Sequence, residues 1–275
     1  MAKEYSRILV DHQGEICRIT INRPGDRNSI DSVLMKELGR TLREIEKTQS
    51  RAIIFTGTGN TYFIGGADGI EMMQCDPRKA RAFSARIQKL FTRMEASPLI
   101  LVAAINGLCF GGGFEFAMAC DLRLASEVAR IGLPEVKVGL IPGGGGTQRL
   151  PRLVGFGRAM EMILSGKLYE GREAFELGLV HSVVPGGQLL KEAERVLEPI
   201  FRNPQYSLSQ AKRAVRASLQ GSLADGLRVE GEAFSQCFSH DYFFQLMRKQ
   251  LKEGTLKTTV QLPDEVFKEK RKKKS

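Results

Sequence analysis

Polar and apolar positions alternate over Arg7 to Val10 and again over Ile16 to Asn22, and Gln13-Gly14 between them supplies a tight turn. The pattern predicts a β-hairpin. Pro24, Gly25 and Asp26 then break the chain. Asp31 follows as the N-cap of a run in which Leu34, Leu38, Leu42 and Ile45 recur at helical spacing, which predicts an amphipathic helix over Ser32 to Lys47. Ala52 to Thr56 and Leu99 to Ile105 are short, continuous apolar runs, the signature of strands covered on both faces, and Arg78 to Glu95 between them predicts a long helix. Leu122 to Ala125 and Arg130 to Leu133 read as further strands, with helical periodicity after them over Gly157 to Ser165 and Glu173 to Leu177. From Gln188 onward apolar stripes predict helices alone, over Gln188 to Arg202, Ser207 to Gln220 and Leu223 to Ser239. The fold class is therefore α/β, with an α/β core over residues 1–190 and a helical C-terminal region over 191–275, and no linker-like stretch between them.

A chain of 275 residues buries roughly 70% or more of its extended surface, so a disulfide-stapled peptide and a disordered tail are both excluded. The longest apolar run, Leu99 to Ile105, is far too short to cross a bilayer, and no membrane partner is expected. The five cysteines form no CxxC pair and have apolar neighbours, while the three histidines share no ligand spacing, which predicts reduced thiols and no metal site. The first residues carry Lys3 and Glu4 but no apolar leader segment, so a cytoplasmic location is expected. The net charge is +10, and the tail over 268–275, with six Lys or Arg against one Glu, supplies half of it. A solvated end is the expected state of such a tail, an electrostatic contact the alternative. The moderately basic remainder suits an anionic small-molecule ligand.

Glycine concentrates where the buried strands end: Phe63 to Asp68, Phe110 to Glu115, Gly139 to Pro142, and Gly143 to Gly146 followed by Thr147-Gln148-Arg149. In the second of these, an apolar strand runs into three glycines and then into an apolar helix carrying one acid, Glu115. Unpaired N–H groups at such a helix start favour an anion or a developing oxyanion. A second acid, Glu135, follows Pro134 in an apolar setting. Each acid alone is also explained by the preference of carboxylates for first helical turns. Two carboxylates beside an anion-binding turn point to acid/base work on a substrate whose carbonyl oxygen becomes negative. No P-loop lysine follows the glycines, so a nucleotide cradle is not expected.

Phe63 to Asp68, Asn106-Gly107 through Glu115, Cys120-Asp121, Pro134-Glu135 and Gly139 through Leu150 together resemble the crotonase superfamily, enoyl-CoA hydratases in particular. The resemblance covers about Ile8 to Asp241 and includes Asn22-Arg23-Pro24 with Asn28. It implies the crotonase fold, a spiral of ββα turns with a C-terminal helical trimerisation region, and a homotrimer or hexamer. By the same resemblance, Ala67 and Gly112 supply the two amides of an oxyanion hole, and Glu115 and Glu135 form the pair that handles water and proton. The reaction implied is reversible addition of water to a trans-2-enoyl-CoA, with coenzyme A part of the substrate and no separate cofactor. Substrate contacts fall on Arg27, Gly65, Gly66, Asp68 and Ile70. A related dehydratase or isomerase acting on a specialised thioester is the alternative. Isomerases of the family generally keep only the second acid, so the presence of Glu115 favours the hydratase.

Some positions depart from the family's pattern. Gly25 replaces a common lysine, which predicts altered coenzyme A contacts at that edge; Gly65 stands where Ser or Ala is commoner, Gly69 replaces a bulky aliphatic, and Phe114 stands where a small residue is usual, which predicts a reshaped acyl pocket. Residues 242–263 read as an atypical insertion before a family-like ending and the basic tail 268–275. In this fold such an insertion lies near the pantetheine and subunit edge, which makes an acyl-carrier protein an alternative carrier of the thioester. Nucleic acid is not expected as a partner, because the basic tail carries no interleaved aromatics.

Overall fold

The computed structural model describes residues 5–256. In chain order the strands are β1 (Ile8–Gln13), β2 (Ile16–Ile21), β3 (Ala52–Gly57), β4 (Tyr62–Ile64), β5 (Ile100–Ile105), β6 (Leu108–Phe110), β7 (Leu122–Ser126), β8 (Arg130–Gly132), β9 (Leu168–Glu170) and β10 (Ser182–Val184). The helices are α1 (Ser32–Ile45), α2 (Gly69–Met73), α3 (Pro77–Glu95), α4 (Gly112–Ala119), α5 (Gly146–Val154), α6 (Phe156–Ser165), α7 (Gly171–Glu176), α8 (Leu189–Phe201), α9 (Gln205–Ala217), α10 (Leu223–Cys237) and α11 (Tyr242–Lys252).

Two sheets form. The larger has the order β1-β2-β3-β5-β7-β10 and the smaller β4-β6-β8-β9. Among the described residues only the hairpin β1/β2 and the pair β8/β9 are antiparallel, and the other strand pairings are parallel. Three times the chain lays a strand in the larger sheet, a short strand in the smaller one, and then a helix: β3-β4-α2, β5-β6-α4, and β7-β8 with the helical turn Glu135–Val138. This is the expected ββα spiral. Every residue of β3 and β5 is buried, since Ile53 and Phe55 face the main core while Ala52 and Ile54 face a second cluster completed by Leu189, Ala193 and Leu197 of α8. That two-sided burial is why both strands read as continuous apolar runs.

The chain divides into two compact units, Met1–Gln205 and Tyr206–Ser275. The first unit thus runs past residue 190, because α8 covers the outer face of the larger sheet. In the second unit, α10 opens with a capping box between Ser222 and Asp225, and the rings of Phe234, Phe238, Phe243 and Phe244 cluster in edge-to-face and tilted pairs. The first part of the segment 242–263 is the helix α11; residues 257–263 and the tail 268–275 lie outside the described residues. Among the described residues no helix is long and apolar enough to cross a membrane.

Helix α4 is buried along its whole length. Phe116 anchors it, with its ring edge-on to Phe55 at 5.0 Å, Phe91 at 5.8 Å and Phe63 at 6.1 Å. Beside it, Gly113 lets the helix sit directly on β4, where an added Cβ would come within 2.0 Å of the Ile64 carbonyl oxygen. Phe116→Ala is expected to cost about 3–5 kcal/mol of unfolding free energy, read from the urea midpoint, because the hole is walled by three rigid rings.

Candidate active site

Three glycine-rich turns converge at the start of α4. The first is the turn Gly65 to Asp68, held by a single parallel bridge between Ile30 and Ala67. The Ile30 N–H donates to Gly66 O at 2.8 Å, and the Asp68 N–H donates to Ile30 O at 2.9 Å. In that pattern the Ala67 N–H points away from its partner strand. Its nitrogen lies close to Gly112, since a Cβ added there would fall 3.2 Å from it. Gly112 is the first residue of α4, so its N–H has no acceptor within the helix. The main-chain N–H groups of Ala67 and Gly112 therefore lie close together, one outside the bridge bonding beside it and the other without an acceptor in its own helix.

A buried arginine fixes this turn. Arg23 donates from Nη2 to Asp68 at 2.9 Å and to Asp26 at 2.8 Å, and from Nη1 to the Ser29 carbonyl at 2.6 Å. Asp68 also N-caps α2 through the Glu71 N–H at 3.0 Å. Burial pushes the Asp68 carboxyl up, but those hydrogen bonds and the arginine charge hold it below its usual range. With both oxygens engaged, Asp68 acts on the site by orienting the Ala67 turn. Arg27 and Asn28 take left-handed backbone conformations, φ 58° and 53°, and the Arg27 carbonyl accepts the Gly65 N–H at 2.9 Å. A Cβ on Gly65 would fall 2.8 Å from that carbonyl oxygen, which accounts for glycine where Ser or Ala is commoner. The Arg27 side chain is exposed, and Ile70 stands 72% exposed on α2.

Glu115, in the first turn of α4, is 2% exposed. Its Oε1 accepts the Gly144 N–H at 2.8 Å and the Gly146 N–H at 2.7 Å. Burial lifts this carboxyl above its usual range, while the Gly146 and Gly144 donors and the nearby Arg149 charge pull the other way without cancelling it. Glu135 opens the helical turn after β8, and its Oε1 lies 3.2 Å from where a Cβ of Gly111 would be. Its buried Oε2 has no hydrogen-bond partner among the described residues. Burial, reinforced by the Glu115 charge and opposed by its own N–H, pushes Glu135 up to about 7. The Glu115 charge thus bears on Glu135, and both carboxyls hold a proton more readily than an exposed glutamate does.

This elevation has a measurable cost. Between pH 4.5, the ordinary value, and about 7, the folded chain holds a proton on Glu135 that the unfolded chain releases, so stability falls as pH rises through that window. Glu135→Gln is therefore expected to be about 3 kcal/mol more stable than the parent near pH 8, with the gain vanishing below about pH 4.5, in urea titrations at several pH values.

Phe114, expected to reshape a substrate pocket, is fully buried in the main hydrophobic core. The sequence pointed to the Gly143 to Gly146 run as a close-approach turn but assigned it no partner; the structure gives it the Glu115 carboxylate. A separate cleft of about 1010 Å³ at the carboxyl ends of the larger sheet, bordered by Arg18, Thr58, Asn60, Asn106 and Arg130, includes neither glutamate.

Residues 11–256 match the family model described as enoyl-CoA hydratase/isomerase. The chain is 38% identical over 237 residues to the short-chain-enoyl-CoA hydratase of Clostridium acetobutylicum, covering 86% of this chain and 91% of that one. It is 35% identical over 236 residues to the crotonyl-CoA hydratase of Syntrophomonas wolfei, with the same coverage. Among solved structures, the enoyl-CoA hydratase of Bacillus anthracis superposes with a TM-score of 0.84 at 36% identity, covering 90% of this chain and 97% of that one.

Proposed function

The chain belongs to the enoyl-CoA hydratase/isomerase family, and on that premise we propose that Glu115 and Glu135 add water across the double bond of a trans-2-enoyl-CoA whose thioester oxygen sits between the Ala67 and Gly112 amides. The protein is a hydro-lyase of the enoyl-CoA hydratase type. The observation that carries the site assignment is the meeting of two outward main-chain donors with two carboxylates in unlike surroundings.

Those unlike surroundings set the roles. Glu115, held by two N–H groups at one oxygen, is the ionised member and takes a proton from water as the oxygen bonds to the β-carbon. The double-bond electrons move toward the thioester carbonyl, and the developing enolate oxygen is stabilised by the two amides. Glu135, raised to about 7, is the protonated member and delivers its proton to the α-carbon. The pair ends with the proton exchanged from Glu135 to Glu115, and the reverse sequence dehydrates the 3-hydroxyacyl product.

Exposed Arg27 offers a cation to the coenzyme A phosphates beside Gly65 and Gly66, and exposed Ile70 offers apolar surface beyond the Ala67 turn. We also place the enzyme in the cytoplasm, in keeping with five free cysteines, and as a homotrimer or hexamer. Leu223, Leu227 and Phe234 leave much of α10 apolar and exposed, as a face for another copy would be. The deciding experiment follows the loss of conjugated-thioester absorbance with crotonyl-CoA and a longer 2-enoyl-CoA. Turnover by the wild type that Glu115→Gln and Glu135→Gln each abolish supports the assignment, whereas hydration left intact in both variants overturns it.

A further inference from the structure

The glycine run before α5 is moulded around two charged side chains. A Cβ on Gly144 would fall 2.5 Å from Glu115 Oε2, and one on Gly145, whose φ is +108°, would fall 2.1 Å from Arg149 Nη1. Arg149 reaches back from α5 and donates from Nη1 to the Gly144 carbonyl at 2.9 Å, while its Nε and Nη2 grip Glu95, the last residue of α3, at 2.8 and 2.9 Å. Both side chains of this ion pair are 17% exposed. The Gly144 peptide thus has Arg149 on its carbonyl and Glu115 on its N–H.

We propose that Arg149 is a positioning residue for the reaction: through the Gly144 peptide it holds the carboxylate that accepts the proton from water, and Glu95 sets how much of its positive charge that carboxylate feels. The assignment rests on Glu115 acting as the base of hydration. The charged groups bearing on Glu115 are Glu135 beyond Gly111, Arg149 from α5, and Glu95 behind Arg149. Since the guanidinium favours the ionised carboxylate and Glu95 neutralises part of its field, removing one or the other moves the base in opposite directions. A purely structural brace would move it in one direction or not at all.

The test is the acid limb of the kcat/KM profile for crotonyl-CoA hydration. Arg149→Met is expected to shift that limb up by about 0.5–1 pH unit and lower kcat, and Glu95→Gln to shift it down by a similar amount. Arg149→Lys keeps the charge but loses the fork to Glu95, so it is expected to keep the limb near the wild-type pH while kcat falls. The Glu95→Gln/Arg149→Met double variant, with no buried charge left unpaired, should fold if either single variant does not and should place the limb between theirs. Limbs that stay put, or that move the same way in Arg149→Met and Glu95→Gln, overturn the proposal. Full activity in Glu115→Gln would instead overturn the assignment of the base beneath it.

Discussion

Glu135→Gln is expected to lower kcat for crotonyl-CoA hydration by about 10²- to 10⁴-fold, with KM changing far less. Gln matches the carboxyl in size, and in this site it replaces a group whose Oε2 has no hydrogen-bond partner among the described residues, so little packing is disturbed. What it lacks is a transferable proton. Because Glu135 is pushed up to about 7 and is proposed to act in its protonated form, wild-type hydration should fall as pH rises through that value. The residual activity of the variant should lose this alkaline limb. Dehydration of 3-hydroxybutyryl-CoA should fall by the same factor, since the variant changes the barrier and not the overall equilibrium. Adding Glu115→Gln should cost much less than the product of the two single losses, as the proposed joint action of the two acids requires. A variant with wild-type kcat and an unchanged alkaline limb would show that the α-carbon proton comes from elsewhere.

Gly112→Pro is expected to reduce kcat/KM by about 10²- to 10³-fold, the usual effect of deleting one oxyanion donor, equivalent to about 3–4 kcal/mol. Proline is well suited to the first position of a helix, so α4 should still form. The substitution removes the N–H and also brings the ring against the Ala67 nitrogen, where a Cβ would already lie at 3.2 Å. Gly112→Ala keeps the donor and adds only that crowding, so its loss should be smaller. A bound enoyl thioester analogue gives a second readout: its absorbance should shift to longer wavelength in the wild type, where two amides polarise the carbonyl, and much less in Gly112→Pro. Equal activity in the wild type and Gly112→Pro would remove Gly112 from the carbonyl site.

The sequence revealed the elements whose cores are two-sided or strongly periodic. The apolar runs of β3 and β5 and the Asp31-capped stripe of α1 appear where the pattern placed them. The strands of the smaller sheet were not legible as a layer, because β4, β6 and β9 have three residues each and carry no period. Helix α5 was hidden by Pro151 in its interior and by the glycines at its start. Helix α11 lies in a stretch read from family spacing as an insertion. At the site, the motifs pointed to the two acids and two amides, but their partners are long-range. The Gly144 and Gly146 N–H groups lie 29 and 31 residues from Glu115, and Arg23 lies 45 residues from Asp68. Side-chain spacing along the chain carries no signal for contacts of that kind.

The groups that would grip the substrate carbonyl and the base are all peptide N–H groups, at Ala67, Gly112, Gly144 and Gly146. Every amino acid except proline carries one, so a codon change at these positions can crowd a donor but almost never delete it. The hold on the carbonyl and on the base would therefore be inherited with the path of the backbone, while the side chains that border the acyl chain are free to drift. A lineage built on this plan can explore new acyl groups without first losing the reaction. Selection in the laboratory should find the same asymmetry, with altered chain-length preference arising from many single substitutions and restored catalysis in Glu135→Gln from almost none.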